Sequence, residues 1–209
     1  MDYNNKAFAG SDDRAISELA RLNRQALELL RTQAVAQPPA GQILPMFVEL
    51  ADLWRQLHPA AIVRAAACPC LLVDFAFLDA RRWTAVSRDL VHDQERAPPR
   101  FAGPAADAVA RAILTEVWHY ARTRGTLLGI FGIPSTVAGI IANCTQTQIL
   151  LAADTRLGWL EPRWPSRVWF WRNLLTCALA EDAEGLLRAG LEGLAMLAAD
   201  VRQAAREYR

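Results

Sequence analysis

The sequence predicts a mainly α fold: two tandem small helical modules, each with a short β-strand, and a long C-terminal helix. Three observations carry this. Apolar residues recur at helical spacing along most of the chain, interrupted by breaks that contain Pro and Gly. Two short stretches, Leu71–Phe77 and Leu157–Leu160, read as strands. A helix, a tight turn, a second short helix and a strand-like stretch occur twice, 87 residues apart.

Residues 1–13 read as a loose polar arm. Ile16, Leu19, Ala20, Leu27, Leu30 and Ala34 share one helical face, so a helix is expected over 14–36. Pro38, Pro39 and Gly41 must break it. Pro45 suits the first turn of the next helix, whose face is Met46, Phe47, Leu50, Leu53, Trp54 and Leu57. A short helix follows over Pro59–Ala67. After Cys68-Pro69-Cys70, the residues Leu71, Val73, Phe75 and Phe77 alternate with Asp74 on the other side, the pattern of a half-buried strand. Asp79 is placed to cap a helix running toward Val91.

The polar stretch His92–Pro104 reads as a linker, which puts the modules at 14–92 and 105–209 with 93–104 between them. Val109, Ala112, Ile113, Val117 and Tyr120 then make a helical face. A further helical turn reaches Phe131 and stops at Gly132. Pro134 opens a helix to about Asn143. Thr145 and Gln148 have the spacing of a capping box for the next helix. Helices over about Pro165–Leu179 and Asp182–Glu207 finish the chain, the last striped by Leu186, Leu187, Leu191, Leu194, Leu197 and Val201. That stripe fits packing onto its own module or a dimer face.

The repeat is visible residue by residue. Moving residues 50–66 forward by 87 sets Leu50 on Val137, Leu53 on Ile140, Ile62 on Ile149, Val63 on Leu150 and Ala65 on Ala152. Chance alignment of two amphipathic segments in an Ala/Leu-rich chain is the competing explanation. The shared turn and the strand that follows favour a duplication.

The 209 residues carry a net charge of +1, 53% hydrophobic and 22% charged residues, which suits one or two globular domains. A strong overall basic excess, the usual mark of a DNA-coating protein, is missing. No apolar run approaches the ~20 residues that span a bilayer. The first residues mix charge with helix formers (Asp12, Asp13, Arg14, Glu18, Arg21), unlike a signal peptide. Four cysteines, Cys68, Cys70, Cys144 and Cys177, form no dense framework, so reduced thiols and a cytoplasmic location are expected. Cys68-Pro69-Cys70 lacks a second ligand pair, and His58, His92 and His119 have no ligand spacing, so no metal and no cofactor are expected. Phosphate loops, nucleophile elbows and His-Glu-x-x-His are also missing, and Asp74 and Asp79 read as a strand-face residue and a cap. The expectation is a protein that is not an enzyme.

The block Gly132-Ile133-Pro134-Ser135-Thr136-Val137-Ala138-Gly139-Ile140-Ile141-Ala142-Asn143-Cys144-Thr145-Gln146-Thr147-Gln148-Ile149 resembles the FlhD family of flagellar master-regulator subunits and the FlhD-type activators of mobile elements. Both show a Gly helix stop, a Val-Ala-x-Ile-x-Ala-Asn-like helix, and Thr-x-x-Gln opening the next one. The first copy resembles the family's later part in Leu57, Ile62, Val63, Arg64 and Ala65 followed by Leu71–Phe77. Together these cover well under half of the chain. The resemblance implies a mainly helical, dimerising protein that acts with a zinc-binding FlhC-like partner to activate transcription. The chain departs from the family in being about twice as long, in Gly158 and Pro162 within the second strand region, and in Ile130 where a basic residue is expected.

A tight helix pair can present its second helix to the major groove. With Gly132 as the turn, Ser135, Thr136 and Gly139 would lie on the reading helix. With Asn143–Thr145 as the turn, Gln146, Thr147 and Gln148 would open it, and Gln can pair with adenine. An ordinary helical hairpin with Thr145 only as a cap is the plainer alternative. From Arg122 to Arg172 six arginines (122, 124, 156, 163, 167, 172) face Asp154 and Glu161, an excess of +4. Trp159, Trp164, Trp169 and Trp171 lie in the same stretch. Such a mixture serves phosphate and base stacking, a protein interface, or a solvated rim around a Trp-rich core. The DNA-contact candidates are therefore Ser135, Thr136, Asn143, Gln146, Gln148, Arg156, Arg163 and Arg167, and the partner-contact candidates are the four tryptophans. The function expected is a transcription regulator of FlhD type, bound to itself or to an FlhC-like subunit. The alternative is a cytoplasmic sorting-platform subunit of a type III secretion system, acting through protein contacts alone.

Overall fold

A computed structural model describes the backbone over residues 3–36, 44–89, 99–123 and 125–207, and the side chains of these apart from residues 3–13 and 125–127. The first helix, α1 (Tyr3–Val35), begins well upstream of the expected 14, so residues 3–13 are helical rather than a loose arm. Its core face is Ala15, Leu19, Leu22, Asn23, Ala26, Leu27 and Leu30, while Ile16, expected there, is exposed. The Pro38–Gly41 break lies outside the described residues.

The helix expected from Pro45 is two short ones, α2 (Pro45–Glu49) and α3 (Ala51–Gln56), hinged at Leu50. The indole of Trp54 donates to the carbonyl of Met46 across that hinge at 3.0 Å. This holds a break that periodicity alone does not reveal, because both pieces keep the same face inward. Helix α4 (Pro59–Ala66) is capped by His58, whose Nδ1 accepts from the Ala61 N–H. Strand β1 (Val73–Phe75) and helix α5 (Ala80–Ser87) follow, with Asp79 capping α5 as expected. The end of α5 falls short of Val91, and most of the expected linker, 93–98, lies outside the described residues. Its last part is not loose: Phe101 is fully buried.

Helix α6 (Pro104–Thr123) leads through a 3-10 turn, Gly125–Phe131, to Gly132 at φ +71, a conformation that favours glycine. Helices α7 (Ser135–Asn143) and α8 (Gln146–Thr155) come next. A 3-10 turn occupies Leu157–Trp159 and strand β2 covers Leu160–Pro162, so the second strand sits three residues later than expected. Helices α9 (Val168–Ala180) and α10 (Ala183–Glu207) complete the chain. The Leu stripe of α10 divides: Leu197 is buried, Leu186 and Leu194 are partly covered, and Leu187 and Leu191 are exposed. No single helix among the described residues is long and apolar enough to cross a membrane.

The fold is mainly helical, with one two-stranded sheet and a long C-terminal helix. The 87-residue offset holds at the element level. Helices α3 and α7 end at Gln56 and Asn143, α4 and α8 begin at Pro59 and Gln146, and β1 maps onto β2 residue for residue. The strands are antiparallel, with Val73 opposite Pro162, Asp74 opposite Glu161 and Phe75 opposite Leu160. Equivalent residues Asp74 and Glu161 thus face each other at the centre, the register that a local two-fold axis through the sheet requires.

The two halves are joined across that axis. Helix α5 packs on α7 and α8, α9 packs on α3 and α4, and α1 meets α6. One core runs from Ala15 to Leu197. Just past each strand, equivalent carbonyls are tethered by an indole from the following helix, though the two tryptophans differ by one position in the repeat. The Trp83 indole donates to the Ala76 carbonyl at 3.2 Å, and the Trp171 indole donates to the Arg163 carbonyl, at the equivalent position, at 3.0 Å. Buried indoles need such an acceptor.

Gly132 shows how tightly the second half is folded. A Cβ there would lie 2.5 Å from Leu197 Cδ1 and 2.7 Å from Arg163 Nη2, at a backbone angle that side chains resist. Gly132→Ala is expected to cost about 2–3 kcal/mol, read as a lowered Tm.

Candidate docking surface

The helix pair α7–α8 carries most of the residues expected to contact a macromolecule. Helix α7 buries Val137, Ala138 and Ile141. Its C-terminal Cys144 is held by the Trp118 indole, which donates to the Cys144 carbonyl at 2.8 Å. Burial pushes the Cys144 thiol up to about 11, so it stays neutral. At the turn the capping box forms as the spacing predicts. Thr145 Oγ1 accepts from the Gln148 N–H, and Gln148 Oε1 accepts from the Thr145 N–H at 2.8 Å. The axes of α7 and α8 bend by 111°, within the range of helix-turn-helix pairs.

The exposed edge of this pair carries Ser135, Thr136, Asn143, Gln146 and Thr147, followed by Leu150 and Leu151, which are 37% and 50% exposed. Asn143 donates to the Gly139 carbonyl at 2.8 Å. Between Ser135 and Thr155 there is no Arg or Lys, and the one charge, Asp154, is paired with Arg111 at 2.7 Å. A helix offered to phosphates needs cations along its edge; this one offers uncharged polar groups and two leucines.

Several expected contact residues are occupied elsewhere. The Gln148 amide bonds the Ser87 carbonyl and Asp89 at 3.2 and 3.0 Å, tying α8 to α5, so it is not free to read a base. Arg163, expected at a DNA surface, is only 4% exposed; its Nη2 donates to the Phe131 carbonyl at 2.7 Å and pairs with Asp74 at 3.0 Å. Trp171, expected at a partner surface, is fully buried. The reason is common to both: the chain turns inward after β2 to close the core. Arg156 rests over the Trp159 ring at 5.6 Å, with Arg82 at 5.4 Å from the same ring. Trp159 is buried, Trp164 is half-buried with its indole on Asp200 at 2.8 Å, and Trp169 and Arg167 are exposed. Arg124 lies outside the described residues.

Leu150 and Leu151 were not singled out by sequence reasoning as surface residues. Their signal was the unbroken apolar run Ile149-Leu150-Leu151-Ala152, more than one face of a short helix can bury. Val63, the equivalent of Leu150 in the first copy, is 53% exposed. Both copies therefore offer an aliphatic side chain at the same place.

A concavity of about 410 Å³ lies against the sheet, lined among others by Asp74, Glu161, Arg82, Arg163 and Trp164. Asp74 is matched by Arg163, and Glu161 by Arg100 at 3.7 Å, which balances charge at the centre of the sheet. Among the described residues no group of three or more His, Cys, Asp or Glu is arranged to hold a metal ion. Set against known proteins, the chain matches no family model, no curated protein and no solved structure.

Proposed function

We propose that this chain is a non-enzymatic transcription regulator of FlhD type that works by docking a partner protein, with the partner supplying most of the DNA contact. The observation that carries this reading is the exposed edge of α7–α8: two outward leucines and uncharged polar groups, with no Arg or Lys from Ser135 to Thr155. Interfaces place apolar side chains at their centre and deplete charge there, whereas DNA-contacting helices do the reverse. The Gly132–Ile149 pattern that resembles the FlhD family forms this capped, sharply bent pair, which supports the same assignment.

The test is co-expression with an FlhC-type subunit, followed by co-purification and a mobility-shift assay at low salt. The pair is expected to shift promoter DNA and the single chain to shift it weakly or not at all. Changing Leu150 and Leu151 to Asp is expected to alter stability by no more than about 0.5 kcal/mol each, since both are exposed. The same change should lower partner capture at least tenfold, a loss of about 1.4 kcal/mol or more. Capture that survives both changes overturns this surface. No DNA shift with or without the partner, joined to recovery of a secretion-ring protein, favours the sorting-platform alternative.

A further inference from the structure

Between α4 and β1 the chain crosses Ala67-Cys68-Pro69-Cys70-Leu71-Leu72, and the thiols of Cys68 and Cys70 lie 3.6 Å apart. Both residues are buried, at 5% and 0% exposure, the first just reaching the surface. The backbone on either side of Pro69 is pinned. Asn23 Nδ2 donates to the Cys68 carbonyl at 3.1 Å and to the Cys70 carbonyl at 2.9 Å, leaving the two sulfurs facing each other. The same loop is the bed of α10. A Cβ at Gly190 would lie 2.6 Å from Pro69 Cδ, and one at Gly193 would lie 3.0 Å from Cys70 Sγ.

The two thiols are unequal. The hydrogen bond from Cys70 holds the Cys68 thiol below its ordinary range, while that bond and burial push the Cys70 thiol well above its own. A nucleophilic thiol beside a protonated resolving thiol is the division of labour in redox-active dithiols.

We propose that Cys68 and Cys70 form a redox-active dithiol that a peroxide closes to a disulfide, and that closure shifts the seat of α10. This goes beyond the docking function and does not depend on it. The Cys68 thiolate attacks one peroxide oxygen, the O–O bond breaks, and hydroxide leaves to be protonated to water. Cys68 is then a sulfenic acid. The Cys70 thiol attacks the sulfenic sulfur, its proton leaves with the hydroxyl as a second water, and the S–S bond forms. Both sulfurs are oxidised and one peroxide is reduced to two waters. A dithiol reductant reverses the reaction by exchange. Closure brings the sulfurs from 3.6 Å to a bond length of about 2.05 Å. The Pro69 ring and Cys70 sulfur must move with it, and both lie against the backbone of α10.

The experiment uses the full chain, reduced and freed of reductant, then titrated with hydrogen peroxide. Trypsin releases both cysteines in one peptide, Ala65–Arg81. That peptide is expected to lose about 2 Da on oxidation and to regain it with dithiothreitol. Replacing Cys144 and Cys177 with Ser should leave the loss intact; Cys68→Ala or Cys70→Ala should abolish it. Amide exchange over residues 183–207 is expected to speed up in the oxidised form. A peptide that gains oxygen atoms without losing two hydrogens overturns the dithiol. Closure with unchanged exchange in α10 overturns the switch.

Discussion

Asn23→Ala is expected to destabilise the protein by about 3–5 kcal/mol, the largest loss from any single polar side chain here. Asn23 is fully buried in α1 and uses both ends of its amide. Its Nδ2 donates to the carbonyls of Cys68 and Cys70, and approaches that of Ala66 at 3.4 Å. Its Oδ1 accepts from the Leu72 N–H at 2.9 Å. The segment between α4 and β1 has no helical or sheet partner for these groups, so one side chain satisfies them all. Truncation leaves them buried and unpaired, and each costs about 1–3 kcal/mol. Asn23→Asp should be nearly as harmful, because it keeps the acceptor for Leu72 and turns a carboxyl oxygen toward two carbonyls. Urea unfolding followed by circular dichroism reads both. A loss under about 1 kcal/mol for Asn23→Ala would show that this segment is held by something else.

How much of this was legible in the sequence depends on where the information sits. Helices whose starts are written locally were readable: Asp79, Pro134 and the Thr145–Gln148 pair cap or open helices where the sequence places them. The repeat was readable too, because the 87-residue offset keeps apolar residues on apolar ones at the core positions (Leu50 on Val137, Leu53 on Ile140, Ile62 on Ile149), and the strands obey it. Joining across the sheet was not readable. Nothing near Ala80 says that α5 packs on the helices of the other half rather than on its own, since the two halves have equivalent faces. Asn23 carried a faint signal, lying four residues from both Leu19 and Leu27 and so on the core face of α1. Of the contact residues, Ser135, Thr136 and Asn143 are exposed on α7 and Gln146 on α8, because the apolar residues of each short helix take the opposite side into the core. Arg163 and Trp171 followed the usual preference of their residue types for surfaces and interfaces, and tertiary closure after β2 overrode it.

Arg163→Met is expected to cost about 3 kcal/mol, and its pattern of rescue separates charge from shape. The guanidinium satisfies the Phe131 carbonyl and neutralises Asp74, while the Arg163 backbone N–H donates to the Leu72 carbonyl at 2.9 Å. It therefore links the corner before α7 in the second copy to the strand of the first. A methionine replaces the aliphatic stem but leaves an acceptor and a carboxylate without their partner, and the unpaired carboxylate is the larger cost. Asp74→Asn in the Arg163→Met background removes that charge, so the double variant should lose at least about 1 kcal/mol less than the two single losses added. Strict additivity would mean that the pair contributes nothing and that Arg163 acts through Phe131 alone. Because the two copies share one sheet and one core, the lowered stability should appear as a single earlier transition, with the tryptophans of both halves, Trp83 and Trp171, exposed together. If Trp83 keeps its buried environment while Trp171 is already in water, the halves unfold separately and the sheet is not what binds them.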